Sequence, residues 1–575
     1  MRNMKSRTFL LVLAVLCVLT AQALGNEITK KDVPLYVGST DGIWSEDIPL
    51  YFVDGVEDLP YMDVNDCAGL LVGLYHDWAG ETEYGLSIRT EENKVTLTRE
   101  NGVYAHLDFD NKKITFIDYN DFIRGPKNSL LGDLLSTLIF NADGDPQLFR
   151  SIPGASYSRN GDIMELDLAS YKIDMIAQDG LYLVPLQTIG DFFMADPLQI
   201  APFYNGKVLI LANGRRLGRT PEKLTDLGEL YYSAEPKARS KELTEYGYRE
   251  LCMALDHLYG MRDTHEISSF SQIFWQIAFD ERFLDPDPYE ADTALYDFID
   301  FHMNDLHSEF LGFSYLTGVK DPGTDFGSAS RNFFSHVDRY SAAREKFYPD
   351  GYLDYEEVGN TAYITFDEFD MIGGGQEYYA ALEGEKLPND TLGLIIYAHD
   401  KITRDNSPIE NVVLDLSNNT GGDVDAAMFV LEWFLGEAPF SSKDAFTGAV
   451  ATAVYQADVN LDREFNEKDT VEDKNLYCLI SPVSFSCGNL VPSVFKASQR
   501  VTLIGRTSGG GACAVLPMST AWGTPFQISG PHKMAFLKNG SFYDVDRGVE
   551  PDFYIDKLEH FYDREALTKI INGYY

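Results

Sequence analysis

Short alternations of apolar and polar residues, punctuated by Asn, Asp and Gly, recur between residues 29 and 235, and a period of two predicts β-strands. The runs fall at 33–37, 94–98, 103–109, 113–118, 181–184 and 207–212. Two stretches look alike: residues 59–64 leading into 67–71, and residues 182–186 leading into 189–193. Each is a strand-like piece passing into a helix-like piece, which suggests a duplicated small module. No catalytic spacing occurs here, so 29–235 reads as a β-rich α+β region for binding or positioning.

From residue 236 the period changes. Leu243, Tyr246, Tyr248, Leu251, Leu255, Leu258 and Tyr259 repeat at steps of three and four, and a second helix is predicted from Ala294 to Met303. Residues 236–357 are therefore expected to form a helical cap segment. Beyond it, 358–575 alternates strands and helices: strand 361–366, a helix from 391 behind Asp390 as N-cap, strand 411–416, helix 424–435 stopped by Gly436, strand 475–481, a helix after Ser486, and strand 500–505. The stretch 515–554 returns to strands, with Asn539-Gly540 marking a hairpin turn.

Composition narrows the function. With 575 residues and 45% apolar content, several cores can be filled and general disorder is excluded. The 89 Asp+Glu against 47 Lys+Arg give a formal charge of −42, with no basic patch. Nucleic acid and anionic membrane surfaces are thereby excluded as main partners, because both are bound through clustered Lys and Arg. Arg2, Lys5 and Arg7 precede an apolar run at 9–20, and Ala21-Gln22-Ala23 has the small-x-small form of a signal peptidase site. Residues 1–23 read as a cleaved export signal, because the run falls short of the about 20 residues a membrane span needs. The protein is expected to be exported, extracellular or in the cell envelope, without a membrane span after cleavage. Cys67, Cys252, Cys478, Cys487 and Cys513 then remain, an odd and sparse set that argues against a disulfide framework, and no C-x-x-C pair suggests zinc.

Three stretches carry candidate chemistry. At 475–496 a buried strand runs through a polar turn into an apolar-periodic helix, placing Ser486 at a helix N-terminus where the dipole favours an oxyanion; alone, Ser486 could merely cap that helix. At 412–422 a buried strand ends in Gly421-Gly422, which lets backbone N–H groups approach a substrate; an ordinary strand-to-helix turn would look the same. At 303–310 His307 stands just past a helix among carboxylates, where a lone histidine is more often structural.

In this order the three resemble one family, the S41 serine peptidases that include the C-terminal processing (tail-specific) proteases and the tricorn core protease. Residues 305–310, 414–422 and 485–488 match its Asp-x-His-Ser/Thr-x-Phe, Leu-Asp-Leu-Arg-x-Asn-x-Gly-Gly and Phe-Ser-x-Gly patterns, while 501–510 and 547–552 match its Leu-Ile-Gly-x-Thr-x-Gly and terminal Gly-Val-x-Pro-Asp segments. The resemblance covers about residues 240 to 556. It implies a crotonase/ClpP-like ββα spiral catalytic domain of α/β class, with Ser486 as nucleophile. Gly510 stands where the Ser/Lys branch has its lysine, so the Ser/His branch applies, with His307 as general base and then acid. Ser417 replaces the motif's Arg, and Leu306 precedes His307 where the tricorn branch has Ser. Asp544 and Asp546 lie near where that branch places its acid, with Asp544 slightly preferred. The implied oxyanion donors are the N–H of Cys487 and of Gly421 or Gly422. About 50 residues separate Phe310 from Thr361, too few for the PDZ insertion common in the family.

One further pattern stands apart. Asp458, Asn460, Asp462, Glu464 and Asp469 carry side-chain oxygens at spacings of an EF-hand-like calcium loop, although Arg463 holds the position of its glycine; a solvated acidic hairpin is the competing reading. The sequence thus predicts an exported serine endopeptidase acting on peptides or proteins, with no cofactor required for catalysis and a calcium loop as an option. A non-catalytic peptide- or ligand-binding protein on the same scaffold is the alternative.

Overall fold

Six strands set up the chemistry by lying in chain order in one sheet: β1 (Tyr355–Val358), β2 (Thr361–Thr365), β3 (Asn411–Asp415), β4 (Asn475–Ile480), β5 (Val501–Gly505) and β6 (Phe553–Tyr554). β1 is antiparallel to β2, and every later pair is parallel. Parallel strands need crossovers and are covered on both faces, which is why β2 and β3 are buried throughout. The computed structural model describes residues 25–573 except 40–41, 79–84, 124–147, 153–154, 156, 219, 221–222, 321–325 and 373–374. Residues 1–23, read from sequence as an export signal, lie outside the described residues. No described helix is long and apolar enough to cross a membrane.

Helices α1 (Ser328–Glu345), α2 (Val424–Leu435), α3 (Cys487–Ser498) and α4 (Arg564–Asn572) matter for the site. α2 is apolar on nearly every side and sits in the core with β2 to β5. It ends at Gly436, whose φ of +77° is the left-handed cap anticipated there. The helix Thr391–Thr403 starts as expected at Asp390, whose side chain accepts the Gly393 N–H at 2.8 Å.

The β-rich N-terminal region forms a seven-stranded and a five-stranded sheet. The two look-alike stretches become antiparallel neighbours, Leu183 opposite Asp63, each leading into a helix. One continuous core runs from Val33 through the helix Lys241–Leu258 to Ile528. Strands Phe149–Ser151 and Tyr157–Arg159 pair with Val450–Ala457, so this region also extends a sheet of the C-terminal half. The predicted helix at 294–303 is split into an α-helix, Pro288–Asp297, and a π-helical turn, Phe298–Met303. The five cysteines that the structure describes are free and buried.

Candidate active site

β4 ends at Ile480, and the next six residues are fixed from both sides. Ser484 Oγ donates to the Leu416 carbonyl at 2.7 Å and the Phe485 N–H to the Asn419 carbonyl at 3.2 Å, tying the turn to the loop after β3. On the other side the Ser486 N–H donates to the Gly510 carbonyl at 2.9 Å. Ser486 is held at φ +54°, ψ −121°, a backbone state costing on the order of 1–3 kcal/mol for a residue with a Cβ. Its side chain makes no capping bond to α3. The hydroxyl is therefore left for other chemistry at the positive end of that helix, which answers the capping alternative.

The loop after β3 needs its two glycines. Gly421 and Gly422 have φ of +112° and +125°. A Cβ on Gly421 would lie 2.7 Å from Ser486 Cβ, and one on Gly422 would lie 2.1 Å from the Phe369 carbonyl oxygen. The Gly421 N–H is taken by Asn419 Oδ1 at 2.9 Å, leaving Gly422 as the member of the pair suited to an oxyanion. Cys487 supplies the first N–H of α3; burial pushes its thiol up to about 12, which disqualifies it as a nucleophile at neutral pH.

His307 is placed by bonds along the backbone on either side. Its N–H donates to Asp305 Oδ1 at 3.1 Å, its carbonyl accepts from Gln527 Nε2 at 2.8 Å, and the two-residue strand Glu309–Phe310 pairs with Phe526 and Gln527. The ring packs on Phe485 with centroids 4.7 Å apart, and a Cβ on Gly511 would come within 3.2 Å of His307 Cε1. Burial lowers the affinity of the imidazole for a proton, and the charge of Asp305 partly restores it. A neutral ring at neutral pH follows, as a general base requires. His307 and Ser486 line one cavity of about 850 Å³, together with Gly422 and Phe485.

Asp544 and Asp546 are the two acids expected from sequence. Asp544 is exposed; it accepts the Asp546 N–H at 2.9 Å and stands 3.4 Å from Lys533 Nζ. Asp546 is half-buried and reaches the Ala512 N–H at 3.3 Å, with its carboxyl raised by burial and then by Asp544. The charge that acts on His307 is that of Asp305, which also accepts from Ser308 Oγ at 2.7 Å. Asp305 belongs to the Asp-x-His motif itself, two residues before the histidine.

Arg564 of α4 was not expected from sequence. Its guanidinium bonds Asp415 Oδ2 at 2.6 Å, Thr365 Oγ1 at 3.1 Å and Glu356 Oε1 at 3.0 Å, beneath the glycine loop. It brings a cation to the motif aspartate in the chain where Ser417 has displaced the neighbouring Arg.

Several side-chain oxygens of the acidic loop accept from the loop's own backbone, while Asp458 Oδ1 is buried without a hydrogen-bond partner among the described residues. Asp458 Oδ2 accepts from the Arg463 N–H, Asn460 Oδ1 from Asp462 N–H and Asp462 Oδ1 from Glu464 N–H. Asp469 spends both oxygens on N–H groups of Val459, Asn460 and Asn466. Arg463 adopts φ +67° in the glycine position. Among the described residues no group of three His, Cys, Asp or Glu side chains is placed to hold a metal ion.

Residues 360–555 match the family model for peptidase family S41. No curated protein matches the chain. Among solved structures it is similar to the photosystem II D1 C-terminal processing protease, with 16% identity, 36% of this chain and 47% of that one covered, and a TM-score of 0.26. A putative peptidase from Parabacteroides merdae ATCC 43184 shows 14% identity over 58% of this chain and 96% of its own, TM-score 0.39. The tricorn protease shows 11% over 85% and 46%, TM-score 0.29. The chain thus spans about half the length of the first of these relatives. The family match places the turn carrying Ser486 and the Gly421-Gly422 loop inside one unit: residues 360–555 of this chain are a peptidase family S41 domain.

Proposed function

We propose that the protein is an exported serine endopeptidase of the Ser/His type. The observation that carries this reading is Ser486 in a strained conformation, its hydroxyl unspent on helix capping, in the same cavity as a buried neutral His307. In the reaction Ser486 Oγ attacks the scissile carbonyl carbon while His307 takes its proton. The resulting oxyanion is met by the N–H groups of Gly422 and Cys487. The C–N bond then breaks, His307 returns the proton to the leaving amine, and water hydrolyses the acyl-enzyme by the same route. Asp305 stabilises the imidazolium that forms between these steps. The export signal of residues 1–23 and the extracellular or envelope location belong to this proposal. A serine-directed fluorophosphonate labels the folded protein, and Ser486→Ala abolishes both labelling and peptide cleavage; absence of labelling on folded protein favours the non-catalytic binder instead.

A further inference from the structure

The catalytic cavity does not end at Ser486. Glu368 lies on its wall and also on the wall of a second cavity of about 720 Å³, bounded by Tyr352, Asp354, Asp370, Glu385 and Tyr397. Among the described residues Asp354, Glu368, Asp370 and Glu385 make no ion pair, and Lys386 is the only basic side chain on that wall. The nearby cations are spent: Arg344 grips Asp367 through both oxygens, and Arg215, on the catalytic cavity, is bound to Glu309. Burial and then the charges of Asp370 and Glu368 raise the Asp423 carboxyl, so these three groups are close enough to repel. A concave surface with several uncompensated carboxylates focuses a negative potential and concentrates cations in front of it. The carboxylates are spread along two cavities that share Glu368 on their walls, and no three of them are placed to hold a metal ion. That spacing suits amino-acid side chains along an extended chain.

We propose that the second cavity is a subsite for Lys or Arg side chains of a peptide whose scissile bond lies at Ser486, so that the enzyme selects cationic peptides. The inference rests on the peptidase reading. Its test uses quenched fluorescent peptides of one length that share a bulky apolar residue at the cleavage position and carry Lys/Arg, Gln or Glu in the flanks. With the full chain, kcat/KM is expected to be at least tenfold higher for the Lys/Arg peptide than for the Glu peptide at low salt. The ratio should shrink at 0.5 M salt, where the screening length falls to about 4 Å. E368Q and D370N, singly and together, should lower the ratio. Anisotropy titration of the same peptides with Ser486→Ala protein reads the subsite without turnover and should give the same order of affinity. Ser486-dependent cleavage with no charge preference overturns the subsite alone, as does equal binding of all three peptides. Charge-ordered binding without any cleavage by the unsubstituted protein overturns the peptidase reading and leaves the subsite standing.

Discussion

At the scale of single residues, two conflicting demands meet at His307. A general base has to be neutral before attack and charged after it, and burial favours the first state while Asp305 favours the second. Burial is the larger effect, so the ring titrates below the ordinary histidine value of about 6.5. The acid limb of kcat/KM is accordingly expected below that pH, and Asp305→Asn should move it further down by removing the charge that supports the proton. His307→Ala should lower turnover by about 100-fold or more. A pH profile of cleavage by the three proteins checks both, and an unchanged limb in Asp305→Asn would remove Asp305 from the mechanism. Ser486 and His307 could be named from sequence because the motifs carry their neighbours. The φ of +54° at Ser486 could not, since it depends on where the loop after β3 meets the turn after β4.

At the scale of elements, α4 braces the floor of the site. Burial alone would weaken the Arg564 proton, but the charge of Asp415 and the bond to it prevail, and the guanidinium stays charged. Asp415 Oδ1 in turn holds the Ser417 N–H at 2.9 Å, and Tyr562, just before α4, donates to Asn418 Oδ1 at 2.6 Å. Two successive residues of the glycine loop are thus fixed from the C-terminal segment. Arg564→Met leaves a buried carboxylate without its partner, and a loss of about 3–5 kcal/mol is expected in denaturant unfolding. Arg564→Lys should retain part of that stability while still lowering kcat, because a single ammonium cannot bridge Asp415, Thr365 and Glu356 together. This helix left a trace in the sequence: Arg564, Leu567, Thr568 and Ile571 form its buried face behind the N-cap Asp563, but an Arg at the head of an apolar stripe reads as a polar position. α1 left less, burying only Tyr340 and Ala343 of eighteen residues, so no stripe announces it. The strands and helices of 358–505 were legible because Asp390, Gly436 and continuous apolar runs agree with one another.

At the scale of the whole molecule, the joint between its N-terminal and C-terminal parts contains a charge pair. His532, on the long strand Pro525–Lys538, meets Asp196 at 2.9 Å. Burial would depress the imidazole, but the charge of Asp196 and its bond outweigh that and lift it to about 9. A folded value above the unfolded one means the pair stabilises fully below about pH 6.5 and loses its contribution as pH rises through about 9. Thermal midpoints measured from pH 6 to 10 should fall over that window, and His532→Gln should flatten the fall; an equal slope in both proteins would show that the pair contributes nothing. The sequence divides the chain at residue 236 by a change of period, while sheet partners separated by about 300 residues carry no local signal of their pairing.

The pairing of Phe149–Ser151 and Tyr157–Arg159 with Val450–Ala457 has a practical outcome for anyone trimming this protein. A fragment beginning near residue 236 strips that edge of its neighbours and leaves a row of amide and carbonyl groups open to the solvent, an invitation to stick to other copies. Such a truncate should precipitate or self-associate even with its nucleophile and histidine intact, and silence from it in an assay would speak of its missing flank, not of its chemistry.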